Sequence, residues 1–142
     1  MVIDHDDTDD LVQETFVKVW KNIASFREDS SLYTWIYRIA SNEALSFLQR
    51  KKLKYAFLMG SYDHRLSDKL KDDNFFSGDE IERKLQNAIL TLPEKQRLVF
   101  NLKYYDELKY EEMSKILGTS IGALKASYHI AVKKIEEIIK TN

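Results

Sequence analysis

"YEEMSKILGTSIGALKASYHIAVKKIEEI", residues 110–138, holds the pattern that decides the fold of the chain around it. Met113, Ile116 and Leu117 form the inner face of a short helix, and Gly118 falls where a left-handed residue ends one. Thr119 or Ser120 can cap the next helix. On that second helix Leu124, Tyr128, Ala131, Ile135 and Ile138 share one face, Ala126, His129 and Lys133 point the opposite way, and Lys125 and Ile130 flank them. This is helix-turn-helix spacing, in which the second helix enters a DNA groove and the N–H groups at its start can meet a phosphate. The same spacing also describes a plain αα-hairpin with solvated lysines. From Ala123 to Lys134, however, the helix has Lys125, His129, Lys133 and Lys134 and no acid, a local positive stripe that favours DNA.

Outward from this stretch the chain reads as all-α. Its 142 residues include one Pro and four Gly, and apolar residues recur at three- and four-residue spacing nearly throughout. The formal net charge of −1 excludes binding to nucleic acid by bulk charge, so any DNA contact is local. There is no Cys, and His5, His64 and His129 lie far apart, so neither a disulfide framework nor a local metal cluster is expected. The acidic opening (Asp4, Asp6, Asp7, Asp9, Asp10, with His5) matches no Ca²⁺ loop and reads as a solvated helix start. With no apolar run of membrane-spanning length and no signal peptide, the chain reads as cytosolic.

Two helical domains joined by a linker are expected. A helix over roughly Thr8 to Ser25 places Val12, Phe16, Val19, Trp20 and Ile23 on one face. After the polar loop "FREDSS", residues 26–31, a second helix from about Leu32 to Lys52 is expected to bury Leu32, Trp35, Ile36, Ile39 and Leu48. Residues 53–78 lose the periodicity and read as a linker. From Asp79 a helix resumes with Ile81, Leu85, Ala88 and Ile89, and Pro93 fits the first turn of another that carries Leu98, Val99 and Leu102. The expected units are therefore 1–52 and 79–142, the second with four helices.

"LPEKQRLVFNLKYYDELKYEEMSKILGTSIGALKASYHIAVKKI" resembles region four of bacterial sigma factors, and "DDTDDLVQETFVKVWKNIASFREDSSLYTWIYRIASNEALSFLQRKK" resembles region two. Their order, with no region three between them, is similar to that of the extracytoplasmic-function (ECF) group. The resemblance implies a protein that directs core RNA polymerase to promoters. Its region two would bind the β′ clamp through Asp10, Gln13, Glu14, Val17 and Lys21. It would also melt the minus-ten element and hold a flipped base. The matching positions are Arg27, Ser31, Tyr33, Thr34, Trp35, Tyr37, Arg38 and Asn42. Helical spacing places Trp35 in the core sooner than on a base, whereas Tyr33, Arg38 and Asn42 suit contact. Residues 49–54, "QRKKLK", would track phosphates or simply end a helix with cations.

Region four would read the minus-thirty-five element with Lys125, Ala126, His129 and Ile130, joined by Lys133 on the same face. Ser120, Gly122 and Ala123 match positions near the phosphate backbone. Ser127, Ile130 and Val132 stand where many members carry Arg, so fewer bidentate guanine contacts are available. Contacts from Ile130 or Ala126 to thymine methyl groups would suit an AT-richer element. The family normally has another helix ahead of the acidic motif; with few residues there, Phe16 and Trp20 are expected to lose part of their cover, and self-association or disorder of region two is expected. A membrane-anchored anti-sigma factor is implied as a further partner, and no membrane insertion of the chain itself. No nucleophile–base pair, phosphate loop or cofactor motif is present in the sequence, so no catalysis is expected. The alternative reading is a helix-turn-helix regulator that never engages polymerase.

Overall fold

The structure is a computed structural model that describes residues 1–2, 4–58, 62–72 and 79–141. Its elements are α1 (His5–Asn22), a 3₁₀ turn (Ile23–Ser25), α2 (Leu32–Phe57), α3 (Tyr62–Asp72), α4 (Glu80–Leu90), α5 (Glu94–Tyr104), α6 (Tyr110–Leu117) and α7 (Ile121–Thr141). Among the described residues there is no strand, as the spacing predicts.

Local chemistry sets the helix ends. Asp4 caps α1 by accepting from the N–H groups of Asp6 (3.0 Å) and Asp7 (3.3 Å), so this helix starts three residues before the expected Thr8. Ser31 caps α2, with its Oγ accepting from the Thr34 N–H at 3.1 Å. Asp79 caps α4 in the same way through Ile81 and Glu82. Pro93 sits one position earlier than expected, at the N-cap of α5.

Three apolar clusters build the interior. Leu98, Met113 and Leu124 centre one that joins α5, α6 and α7. Ala88, Phe100 and Ala131 centre a second between α4, α5 and α7. The third is made by Leu48, Tyr62, Leu66 and Leu90, and it holds a helix, α3, within the segment 53–78 that showed no periodicity in the sequence. Helix α2 continues five residues past Lys52, and Tyr62, Leu66 and Leu70 recur every four residues along α3, all buried. This apolar stripe faces Leu48 of α2 and Leu90 of α4. Positions 59–61 and 73–78 of the expected linker lie outside the described residues.

Ion pairs reinforce that junction. Lys52 pairs with Asp63 (3.2 Å) and Glu94 (2.8 Å), while the fully buried Arg97 donates through Nη2 to Leu90 O (2.8 Å), Leu92 O (3.2 Å) and Asp63 (3.2 Å). Burial pulls the Lys52 ammonium down, but Glu94 and Asp63 outweigh it and hold it above the usual lysine range.

The acidic opening starts a helix as expected, with Asp6, Asp9 and Asp10 exposed, but it is solvated only in part. Asp4 and Asp7 are buried, Asp4 against Lys69, and Asp7 against Lys51 (2.8 Å) and the Tyr62 hydroxyl (2.5 Å). Other side chains depart outward. Leu32, at the first position of α2, and Ile81, at the second of α4, are exposed because each follows its cap on the solvent side. Trp35, Ile36 and Ile39 are half-buried, and Leu48 is buried as expected. On α1 the stripe of Val12, Phe16, Trp20 and Ile23 faces outward, with Trp20 81 % exposed.

Candidate functional site

Three surfaces carry the candidate residues. The first is a groove between α1 and α2 in which Asp10, Gln13, Glu14, Val17 and Lys21 all line the α1 wall. Their three- and four-residue spacing sets all five along one exposed wall. Lys18, Asn22, Glu43 and Arg50 complete the walls, at positions that no local pattern marks. Lys18 pairs with Glu43, and Glu14 with Arg50 at 3.1 Å, so the acidic face of α1 is already partly matched by α2. These pairs join positions 25 and 36 residues apart, beyond the reach of helical periodicity.

The second surface lies where the 26–31 loop enters α2. Arg27, Trp35 and Arg38 line a small recess with Phe26, Asp29 and Ser30. The Phe26 and Trp35 rings lie 5.2 Å apart and tilted, giving the recess an aromatic wall. Trp35 thus packs with one side and lines the recess with another. Phe26 is the residue missed here, and its signal is an aromatic directly before a polar loop. Glu28 adopts a left-handed φ of 57°, a conformation that costs a non-glycine residue strain and that shapes the loop.

The remaining minus-ten candidates separate. The Ser31 hydroxyl donates to Thr34 Oγ1 at 3.0 Å, and Thr34 is buried, so this pair forms the helix cap. Tyr33 and Tyr37 lie 4.6 Å apart, Tyr33 outward and Tyr37 against the Leu98–Leu124 cluster. Burial, then the Tyr33 hydroxyl and Asp106, push the Tyr37 phenol above its usual range, so it stays neutral. Asn42 lines a different cleft, with Leu45 opposite Lys95, Thr119 and Ser127. The Arg38 guanidinium donates through Nη2 to Lys115 O at 2.7 Å, joining α2 to the last turn of α6.

The third surface is the exposed face of α7. Gly118 takes the expected left-handed φ of 64°, and Ser120 caps α7 by accepting from the Ala123 N–H at 3.2 Å. Leu124, Ala131 and Ile135 are buried, which turns Lys125, Ala126, His129, Ile130 and Lys133 to solvent. Gly122 and Ala123 are exposed beside the cap. Of the three positions where Arg is common, Ser127 and Val132 are half-buried, and Ile130 alone is exposed. Among the described residues no group of three or more His, Asp or Glu side chains is placed to hold a metal, and no helix is long and apolar enough to cross a membrane.

A capped helix-turn-helix beside an aromatic recess and a charged groove defines a helical DNA-reading factor with a protein-docking face. The chain matches the family described as Sigma-70 region 2 over residues 1–53 and Sigma-70, region 4 over residues 82–135. It is 33 % identical to the ECF RNA polymerase sigma factor SigW of Bacillus subtilis over 131 residues, covering 87 % of this chain and 70 % of that one. It is 30 % identical to the ECF RNA polymerase sigma-E factor of Haemophilus influenzae over 146 residues, covering 97 % and 77 %. Two solved structures share the fold at 23 % identity. They are the sigma factor RpoE in complex with the anti-sigma factor NepR from Bartonella quintana (TM-score 0.69, 99 % of this chain and 85 % of that one) and CnrH in complex with the cytosolic domain of CnrY (TM-score 0.68, 99 % and 75 %). The chain belongs to the ECF group of RNA polymerase sigma factors, initiation factors that direct the core enzyme to promoters.

Proposed function

We propose that the chain works as two reading units, residues 1–52 and 79–142, bridged by a segment containing α3, and that each candidate surface has one task. The groove face of α1 (Asp10, Gln13, Glu14, Val17, Lys21) docks on the β′ clamp of core polymerase. At the recess, Arg27, Trp35 and Arg38 receive a base flipped from the minus-ten element beside the exposed Tyr33 ring, while Tyr37 and Asn42, which face α5–α7 here, would join them once α2 parts from those helices. Ser31 and Thr34 serve this surface by fixing the start of the helix. On α7, Lys125, Ala126, His129, Ile130 and Lys133 face the minus-thirty-five bases, and Ser120, Gly122 and Ala123 approach the phosphates.

The observation that supports this reading best is the outward face of α7, five exposed side chains with two lysines and no acid, in a chain of net charge −1. A positive stripe confined to one helix suits local docking in a groove and not bulk attraction. With Ile130 exposed where Arg is common, an AT-richer element is expected.

Melting energy comes from binding the unstacked strand, so the chain needs no reaction of its own and is no enzyme. It acts in the cytoplasm, where polymerase works, and its third partner is an anti-sigma factor that would cover the polymerase and DNA surfaces; RpoE, which shares the fold, is solved in complex with the anti-sigma factor NepR. Run-off transcription with core polymerase tests the whole reading: promoter-specific transcripts are expected, and their absence refutes it. Asp10→Ala with Glu14→Ala should abolish copurification with core polymerase while leaving the fold intact. A helix-turn-helix regulator independent of polymerase would be unaffected by that pair.

A further inference from the structure

Tyr110 opens α6, half-buried against the Leu98–Leu124 cluster, so its ring is held by packing. Two cations meet that ring from the neighbouring helices. The Lys103 ammonium of α5 lies 4.8 Å from its centroid and the Lys125 ammonium of α7 lies 5.7 Å from it, both within cation–π range. Lys103 is tied a second time, donating to Leu108 O at 3.0 Å across the α5–α6 connection. Lys125 is exposed in the first turns of α7, where groove contacts fall.

We infer that Tyr110 is a positioning residue for promoter recognition, holding the Lys125 ammonium at the head of the reading face; this rests on the task proposed for α7. A lysine on its four-carbon stem samples many rotamers, and a contact that fixes it would otherwise bear that entropy at the moment of binding. A ring locked by the core removes part of the cost in advance. Lys103, anchored on the same ring, adds a like charge that disfavours Lys125 folding back further and deepens the positive potential beside α7. The two lysines therefore act as a pair with unequal roles: Lys103 is fixed to the scaffold and Lys125 is poised toward DNA. A tyrosine that merely filled space would need no cation from either side.

The arrangement is read first in the free, full-length chain. Ring current from Tyr110 should move the Lys125 ε-methylene protons upfield of those of other exposed lysines. Tyr110→Phe should keep the shift, and Tyr110→Leu, or Tyr110→Met where Leu does not fold, should remove it. No upfield shift in the wild-type chain overturns the inference.

Holoenzyme transcription on promoters randomised in the minus-thirty-five element gives the second reading. Tyr110→Leu and Lys125→Met should each weaken base discrimination at the same position, by about two- to five-fold. The double variant should lose no more than Lys125→Met alone, and Tyr110→Phe should match the wild type. Losses spread evenly over all promoters, or fully multiplicative in the double variant, would assign Tyr110 to the scaffold and overturn the inference. A wild-type holoenzyme without promoter-specific transcripts refutes the sigma-factor tasks instead, a result separate from either of these.

Discussion

Gly122 occupies the first turn of α7, exposed, and a Cβ added there would meet nothing within 4 Å. Protein packing therefore gives no reason for a glycine, while a phosphate approaching the helix start would. Gly122→Ala is expected to raise stability by about 0.5–1 kcal/mol through helix propensity and yet to weaken promoter binding, measured by thermal melting beside a DNA-binding titration. Equal or tighter binding would remove the phosphate task from this turn. Asp4 poses the opposite case of a surface-looking residue with an internal job. Burial pushes its carboxyl up, but hydrogen bonds from Lys69 and from the Asp7 and Asp6 N–H groups outweigh that and hold it below the usual carboxylate range. A lowered pKa contributes stability that is present above the unfolded value, about 3.9, and is lost as pH falls through the folded one. Asp4→Asn keeps a capping side chain and removes the charge. Its cost at pH 7 should fall between the roughly 1 kcal/mol of an exposed pair and the roughly 3 kcal/mol of a buried one, because Lys69 is 40 % exposed. The gap between the two melting curves should then close as pH drops below about 3.9.

Helix α3 is the element that most changes the reading of the chain. Leu66 is fully buried between α2 and α4, so Leu66→Ala should cost about 2–5 kcal/mol in denaturant unfolding, where a linker residue would cost almost nothing. The stripe of Tyr62, Leu66 and Leu70 was present in the sequence, but Gly60, Ser61, Ser77 and Gly78 flank it and polar or charged residues fill the positions between. What makes it a helix is tertiary, the faces of Leu48 and Leu90 waiting on either side. At the helix-turn-helix local signals sufficed. Gly118 and Ser120 end and restart the helices as their chemistry dictates, and the outward face of α7 is set by its inward one. In the candidate site the outward direction of the α7 side chains could be read from periodicity, but not their partners, nor that Thr34 is buried in a cap and Tyr37 packs on the core. Arg38 and Lys115 are 77 positions apart, and Lys103, Tyr110 and Lys125 come from three helices.

In the whole molecule the two candidate DNA surfaces lie side by side, with α2 against α6 through Arg38 and Tyr37. The promoter elements, about 25 base pairs apart by their names, are separated by roughly 85 Å of duplex at ~3.4 Å per step. A compact chain of 142 residues has a diameter of only about 40 Å. On the tasks proposed for α2 and α7, both elements cannot be held at once in this arrangement, so α2 and α6 are expected to part on the promoter. Since the chain has no cysteine, Arg38→Cys with Lys115→Cys gives a clean pair for a short bis-maleimide bridge. The bridged protein is expected to lose transcription, and the unbridged double variant to retain much more of it; equal transcription from both would mean that the helices need not separate. Viewed as a length of chain, α3 gains another meaning. Its 11 residues span about 16 Å as a helix and roughly 36–40 Å when drawn out, so releasing Tyr62, Leu66 and Leu70 from their seats would lengthen the tether by about 20 Å. Unwound, the helix that fastens the closed molecule would supply that length as slack between the two halves.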